Sequence, residues 1–176
     1  WTPLPSGDGQ ILSLSASSNG IYYQNYNISF TEPWLGGKKP NSLSVSLYKS
    51  ISSNGQEEAD RQAIEITGLT LGLGKRLKFP DDYFTLYNAI NFQQYKLINS
   101  TSFFSFSNGF SNNINYNIKL GRNSVDQLIY PRSGSNFSLS LKLTPPYSIF
   151  DGINDYNTIS DQEKYEWIEY YKWKFK

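Results

Sequence analysis

The chain contains no cysteine, no histidine and no methionine among its 176 residues. The lack of cysteine and histidine excludes thiol nucleophiles, disulfide frameworks, zinc fingers, haem ligation and Ser-His-Asp triads. Charge of either sign is also scarce, since 16 Lys and Arg stand against 15 Asp and Glu. This near-balance argues against a nucleic-acid partner, because phosphate binding needs a cationic excess. Runs of apolar residues never exceed three, which excludes a transmembrane helix.

Aromatic and small polar residues are abundant instead. The chain has 4 Trp, 14 Tyr and 11 Phe, and Ser and Asn together supply 41 residues. This composition is too aromatic for a disordered chain and too polar for an ordinary water-soluble core. The chain opens on Trp1 without a signal peptide, so we expect either a processed start or a piece of a longer protein.

Alternation of apolar and polar residues with a period of two recurs along almost the whole chain and predicts β-strands. One face of each run is apolar, and the other is Ser, Asn, Thr and Gly. Lipid outside and water inside suit these two faces, so the pattern predicts an all-β protein, an antiparallel transmembrane β-barrel. A soluble β-sandwich is the alternative. The eight predicted strands are 11–17, 25–31, 42–47, 68–74, 84–92, 113–120, 137–144 and 163–175.

The connections between the predicted strands alternate in kind. Three carry a proline beside an aromatic residue, with prolines at 33, 80 and 131, so the repeating unit is a hairpin. Those between them include longer segments near 52–62, 99–112 and 145–162. Short turns at one rim and long loops at the other are typical of outer-membrane barrels. An acidic cluster, Glu57, Glu58 and Asp60, would then lie outside the cell as a solvated loop.

Candidate sites for chemistry are weak. The oxygen-bearing residues Asp151, Asn154, Asp155 and Asn157 lack the spacing of an EF-hand, so we interpret them as a polar loop and expect no metal site. The adjacent carboxylates at 81–82 point different ways and do not form a catalytic pair. We therefore expect no enzyme activity and no cofactor. Asn88, Glu169 and the phase of residues 64–66 disturb the alternation, and either bulges or an extension beyond the membrane would explain them.

The first predicted strand, residues 10–17, is short and poor in branched residues. In a closed barrel it has to pair with a last strand, because unpaired backbone groups are costly in lipid. A seam built on serine and alanine would be held weakly and would open easily. We therefore single out Gln10, Ile11, Leu12, Ser13, Leu14, Ser15, Ala16 and Ser17.

The proline turns resemble those of the BamA-type family of outer-membrane protein assembly factors. Residues 26–40 (YNISFTEPWLGGKKP), 79–83 (FPDDY) and 126–135 (DQLIYPRSGS) are similar to the turns after strands two, four and six of that barrel. Three such motifs in order, at hairpin spacing, are far more specific than any one alone. The matching structural residues are Thr31, Glu32, Pro33, Trp34, Phe79, Pro80, Tyr130, Pro131 and Gly134.

The resemblance implies that residues 1–176 are the first half of a sixteen-stranded barrel, without the POTRA domains that precede it in the family. It also implies a multi-pass protein in the outer membrane of a Gram-negative bacterium. There the first strand would pair with incoming clients at a lateral gate. The partners implied are outer-membrane lipids, unfolded outer-membrane proteins, accessory assembly subunits and the rest of the chain.

Other functions stay open at this point. A relative such as a TamA-like barrel or a two-partner secretion transporter would share these turns. A passive outer-membrane pore would share the polar face. A compact eight-stranded barrel would need no further strands, since eight strands suffice for closure.

Overall fold

The protein forms one antiparallel sheet of eight strands, each paired with the next along the chain. The computed structural model describes residues 9–37, 41–57, 60–100, 105–127, 129–150 and 158–176. Within these residues no helix has the length and hydropathy to cross a membrane. The strands are β1 (Ile11–Asn19), β2 (Tyr23–Glu32), β3 (Asn41–Ser53), β4 (Ala63–Arg76), β5 (Phe84–Ile98), β6 (Gly109–Asn123), β7 (Asn136–Leu143) and β8 (Tyr171–Phe175).

The prediction of eight strands and of an all-β antiparallel architecture is confirmed. The sheet is open: β1 and β8 are its two edges, and neither pairs with the other in the part of the chain described. Strands β3 to β6 are 13 to 15 residues long, several residues longer than the alternation predicted.

The prediction of a continuous last strand over 163–175 is wrong. A short helix, α2 (Asp161–Lys164), follows another, α1 (Tyr147–Phe150), and is fixed by a capping box between Ser160 and Glu163. Residues 166–168 pair with the first half of β6, around Asn112. β7 does not reach this part, because it pairs with β6 only from Tyr116 to Asn123. There Asn112 donates its backbone N–H to Glu166 at 2.7 Å, and Ile168 donates to Asn112 at 2.8 Å. The loop thus satisfies backbone groups that would otherwise be unpaired.

Strand register divides the sheet into one apolar and one polar face. The pairing runs without a bulge along all seven strand pairs of the described residues. Because side chains alternate on a strand, this keeps each residue class on one side across the whole sheet. We call these sides the apolar face and the polar face. On the apolar face lie Leu12, Ile28, Val45, Leu71, Ile90, Ile118, Leu141 and Trp173.

The apolar face ends abruptly near one end of strands β3 to β6. Leu47, Leu69, Phe92 and Ile114 lie side by side on four neighbouring strands. One step further the same face carries Lys49, Thr67, Gln94 and Asn112. Beyond this step, Lys49 approaches Glu65 at 3.7 Å. The shifted phase at residues 64–66 therefore comes from strands that extend past the apolar band, and not from a bulge.

The two other irregularities in the alternation also have physical explanations. Asn88 lies on the apolar face, where its side-chain oxygen accepts a hydrogen bond from the Tyr116 hydroxyl at 2.8 Å. The partnered amide is less costly on an apolar surface than a free one. Glu169 lies outside β8 and accepts a hydrogen bond from the backbone N–H of Ser148 at 3.2 Å.

Burial is inverted relative to a water-soluble protein. The buried apolar residues of the described chain are only Ala63, Ala89, Leu97 and Phe106, whereas most leucines and isoleucines of the apolar face are at least partly exposed. The polar face instead buries Ser111, Asn113 and Asn115. These groups are hydrogen-bonded, as buried polar groups usually are: Ser111 donates to the Tyr165 carbonyl at 2.6 Å, and Asn113 donates to Gln93 of β5 at 3.3 Å. Asn91, for example, accepts from Thr70 at 2.9 Å and donates to Asn115 at 2.9 Å.

Glycine on the polar face makes room for tyrosine. A Cβ at Gly68 would overlap the ring of Tyr48, and one at Gly72 would overlap the Tyr87 hydroxyl. The Tyr48 hydroxyl in turn accepts a hydrogen bond from the Gln93 amide at 2.5 Å. These glycines are thus small residues that lie under aromatic rings within a paired strand.

We expect Gly68→Ala to destabilise the sheet by about 1–3 kcal/mol, because the methyl group displaces Tyr48 and breaks its bond to Gln93. The matched control is Gly121→Ala, also on the polar face of a paired strand, where the nearest atom would be 3.3 Å away. The thermal midpoint of the folded protein in detergent measures both. Equal midpoints for the two variants would contradict this packing.

Candidate functional site: the free edge of the first strand and the turn rim

β1 pairs with β2 on one side, and on its other side no described residue pairs with it, so that side is a free edge of the sheet. All nine of its residues are exposed, including Leu14 at 69%. Ile11 to Ser17 of the predicted gate segment lie in β1, which continues to Asn19, and Gln10 immediately precedes it. An edge strand presents every second N–H and C=O outward, so β1 is a template for another strand.

The side chains of β1 provide little packing. Leu12, Leu14 and Ala16 lie on the apolar face, and Ser13, Ser15 and Ser17 lie on the polar face. Opposite the first set stand Phe30, Ile28 and Tyr26 of β2. The contact between β1 and β2 therefore depends mainly on the backbone ladder.

A buried carboxylate fastens the start of β1. Glu32 is 1% exposed, and its Oε2 accepts a hydrogen bond from the Gln10 side-chain amide at 2.5 Å. Its other oxygen accepts from the backbone N–H of Trp34 at 3.0 Å. The Thr31-Glu32-Pro33-Trp34 motif thus ties the first strand to the first turn, which the sequence did not reveal.

The three proline turns lie at the same end of the strands, and we call this end of the sheet the turn rim. They connect β2 to β3, β4 to β5 and β6 to β7, whereas the chain leaves β3, β5 and β7 for its longer loops from the opposite ends of the strands. The predicted alternation of turns and loops is confirmed. Exposed aromatic residues mark this rim, namely Trp34, Phe79, Tyr83 and Tyr130.

Arg122, at the end of β6, joins the second turn to the third. Its guanidinium contacts the Asp81 carboxylate at 2.8 Å and donates to the Ser124 hydroxyl at 2.8 Å and to Ser135. The same group lies 5.7 Å from the ring centre of Tyr83. Asp81 thus has a structural partner at the turn rim.

The third turn is organised around Asp126 and Gly134. The Asp126 carboxylate accepts from the backbone N–H groups of Ser133 at 3.2 Å and Arg132 at 3.0 Å. The hydrogen bond from Ser133 is the main reason that the pKa of Asp126 lies below its usual range. Gly134 has φ of 96°, and a Cβ there would overlap the Ser124 backbone. Tyr130, at φ 56°, projects its ring from this turn.

Two further groups of residues were singled out in the sequence, the acidic cluster after β3 and the oxygen-bearing residues after α1. Glu57 and Asp60 lie in the loop that follows β3, where Glu57 accepts a backbone hydrogen bond from Asp60 at 3.0 Å. Glu58 and the proposed loop residues Asp151, Asn154, Asp155 and Asn157 lie outside the described residues. Among the described residues, no group of three or more acidic side chains could hold a metal ion.

The comparisons with known proteins agree with this sheet. The model of the Omp85 superfamily domain matches residues 6–175. The chain belongs to the Omp85 superfamily. A comparison with curated proteins finds no match. Among solved structures, the chain is similar to BamA from Haemophilus ducreyi lacking POTRA domains 1–3, with 22% identity and a TM-score of 0.59.

That similarity covers 80% of this chain and 29% of the solved BamA chain. At this identity the likeness shows the fold. The open eight-stranded sheet therefore matches a part of an Omp85 barrel, and the resemblance drawn from the three turn motifs is confirmed at the level of family and fold. The chain spans less than a third of the length of that relative.

Replacement of Glu32 by glutamine should loosen β1, because glutamine has one acceptor oxygen where Glu32 uses two, one for the Gln10 amide and one for the backbone N–H of Trp34. We expect a loss of about 1–3 kcal/mol, the cost of an unsatisfied buried group. The midpoint of urea unfolding in detergent measures it. Glu65→Gln, which removes the carboxylate of the longer 3.7 Å pair between Glu65 of β4 and the half-exposed Lys49 of β3, should change the midpoint little. A similar shift in both variants would argue against the tie between Gln10 and Glu32.

The third turn should loosen in acid. A carboxyl whose folded pKa is depressed contributes stability above its unfolded pKa, about 3.9, and loses it as the pH falls through the folded value. Protection of the Ser133 amide against hydrogen exchange, corrected for the intrinsic rate, should therefore fall below about pH 4. Asp126→Asn should show the loosened turn at pH 7 and no further change in acid. Protection that persists at pH 2 would rule out this role of Asp126.

Proposed function

We propose that this protein folds and inserts β-barrel proteins into the outer membrane of a Gram-negative bacterium. The observation that carries the proposal is the free edge of β1 in a sheet of the Omp85 superfamily. Residues 1–176 form strands one to eight of a sixteen-stranded barrel, and POTRA domains and eight further strands belong to the rest of the chain. The open sheet, whose two edges do not meet, supports this division.

A membrane location agrees with the two faces of the sheet. Leucine, isoleucine and aromatic side chains cover the apolar face, and Ser, Asn, Thr and Gly cover the polar one. Lipid on the first side and water on the second satisfy both. The aromatic residues of the turn rim suit the membrane–water interface, with the rim towards the periplasm. The polar row at Lys49 and Thr67 then lies at the opposite surface of the membrane.

Insertion of a client requires no covalent chemistry. An incoming strand adds to the edge of β1, and backbone hydrogen bonds supply affinity whatever the client sequence. Within lipid this pairing lowers the free energy strongly, since an unpaired N–H or C=O group has no water to bind. The free edge thus recruits a strand, and the client is held while it forms its own hairpins.

The composition of β1 fits a gate that opens and closes. Serine and alanine contribute few contacts to a neighbouring strand, so a partner is exchanged at low cost. The tie from Gln10 to Glu32 fixes the base of β1 to the turn rim while its edge changes partner. The gate would therefore move by exchange of backbone ladders and not by unfolding of the first turn.

Four kinds of partner follow from this arrangement. Lipids contact the apolar face, and unfolded outer-membrane proteins contact β1. The remaining strands of the same chain continue from β8. Accessory assembly subunits act from the periplasmic side.

Single cysteines test the client-pairing edge, since the described chain has none of its own. We expect Ser13→Cys and Ser15→Cys, placed in the full polypeptide, to form crosslinks with a client stalled during insertion. The control is Ser46→Cys, which lies on the same polar face but on β3, between two paired strands. Crosslinks at Ser46 with none along β1 would refute the proposal.

A further inference from the structure

The polar face carries cations without matching carboxylates. In the described strands its charged residues are Arg76, Lys119, Lys142, Lys172 and Lys174. The two acidic residues of those strands, Glu32 and Glu65, lie on the apolar side of the register. The polar face is therefore positive even though the whole chain is almost neutral.

The positive charge is concentrated on the last three strands. Lys142 of β7 stands directly opposite Lys172 of β8. Lys119 and Lys174 flank Ser140, one on each neighbouring strand. All four lysines are exposed, and none forms an ion pair with another described residue. We call Lys119, Lys142, Lys172 and Lys174 the lysine face.

Like charges that face each other across two strands repel and cost stability. Side chains directly opposite are about 5 Å apart at Cβ, and strands are about 4.8 Å apart, so the four ammonium groups lie well within range of one another. At physiological salt the screening length is about 8 Å, which leaves much of this repulsion in place. An anion between the lysines would relieve it.

The surface next to the lysine face leaves room for such an anion. A cleft of about 560 Å³ lies on the polar face at the turn rim, lined in part by Arg76, Lys119 and Ser138. Gly121 contributes no side chain to it. The Asp82 carboxylate also lines this cleft, at its Arg76 end, whereas Arg122 is already engaged by Asp81.

We propose that the lysine face attracts small anions, such as chloride and inorganic phosphate, from the water on the polar side of the sheet. It gives the aqueous interior next to β6, β7 and β8 a local preference for anions over cations. The attraction is loose and screened, since the lysines are hydrated. It does not depend on client insertion, which takes place at the other edge of the sheet.

A cysteine at Ser140 reports the local potential. It is introduced into the full polypeptide, with any cysteines outside these residues replaced by serine. Its rate of modification is measured with a sulfonate-bearing and with a trimethylammonium-bearing methanethiosulfonate. In both reactions the thiolate attacks the reagent's sulfenyl sulfur, forms a mixed disulfide and expels methanesulfinate. Because both reagents react with the same thiolate, the effects of its accessibility and of its pKa cancel in the ratio of the two rates. The ratio therefore reports whether the site prefers the anionic or the cationic reagent.

Ser46→Cys is the matched control, because its neighbours on the polar face are Ser29, Ser44, Tyr48 and Thr70 and carry no charge. We expect the sulfonate-to-ammonium ratio at position 140 to exceed that at position 46 on the order of tenfold at low salt, and to approach it at high salt. Replacement of all four lysines by glutamine should bring the two ratios together.

Equal ratios at positions 140 and 46 at low salt would overturn the proposal, and so would a preference that survives the glutamine substitutions. If the fourfold variant fails to fold, the proposal is tested by the protein that keeps all four lysines, from the change of its sulfonate-to-ammonium ratio with salt concentration. Failure of β1 to crosslink with clients would leave these rates unchanged, so the two proposals fail separately.

Discussion

Backbone hydrogen bonding is the constraint on which the rest of this structure depends. In a hydrocarbon layer each N–H and C=O group needs a partner from the protein itself, so strands have to form a continuous ladder. Seven uninterrupted strand pairs provide that ladder here. The same requirement explains why residues 166–168 pair with the part of β6 that β7 does not reach. It also makes the two free edges of the described sheet, β1 and β8, the places where a further strand is favoured.

The second determinant is the division of side chains between two faces. Since the register has no bulge, a two-residue period in the sequence becomes one apolar and one polar surface across all eight strands. Packing is then arranged within each surface. Tyrosine rings lie over glycines, and amides and hydroxyls form hydrogen bonds from strand to strand on the polar face. The turn rim holds the strand ends together through two charged residues, Glu32 at the first turn and Arg122 at the second and third.

Much of the fold could be predicted from the sequence, because alternation and proline turns are local signals. The strand number, the two faces and the common rim of the three proline turns are confirmed. The ends of β3 to β6 were missed, since beyond Lys49 and Thr67 the strands continue while the polarity of their faces changes. The last strand was misjudged, because the aromatic residues at 167–175 alternate whether or not the chain pairs as one strand. A local capping box at Ser160 decides otherwise.

The candidate site was only partly accessible from sequence. The edge position of β1 follows from its place in the order of strands. The tie between Gln10 and Glu32 joins residues 22 positions apart and depends on the register of β1 against β2. The link from Arg122 to Asp81 and Ser135 likewise depends on two turns meeting at one rim. The lysine face also needs the register, because Lys119 and Lys142 join the lysines of the C-terminal segment only through the pairing of β6, β7 and β8.

The most direct measurement is hydrogen exchange of the β1 backbone amides in the full polypeptide in lipid bilayers, with and without a bound client. We expect Leu12 to Ala16 to exchange faster than the central residues of β4 in the absence of client, and to become protected when a client strand adds. Amides of β1 that are as protected as those of β4, and unchanged by client, would contradict a gate at the first strand.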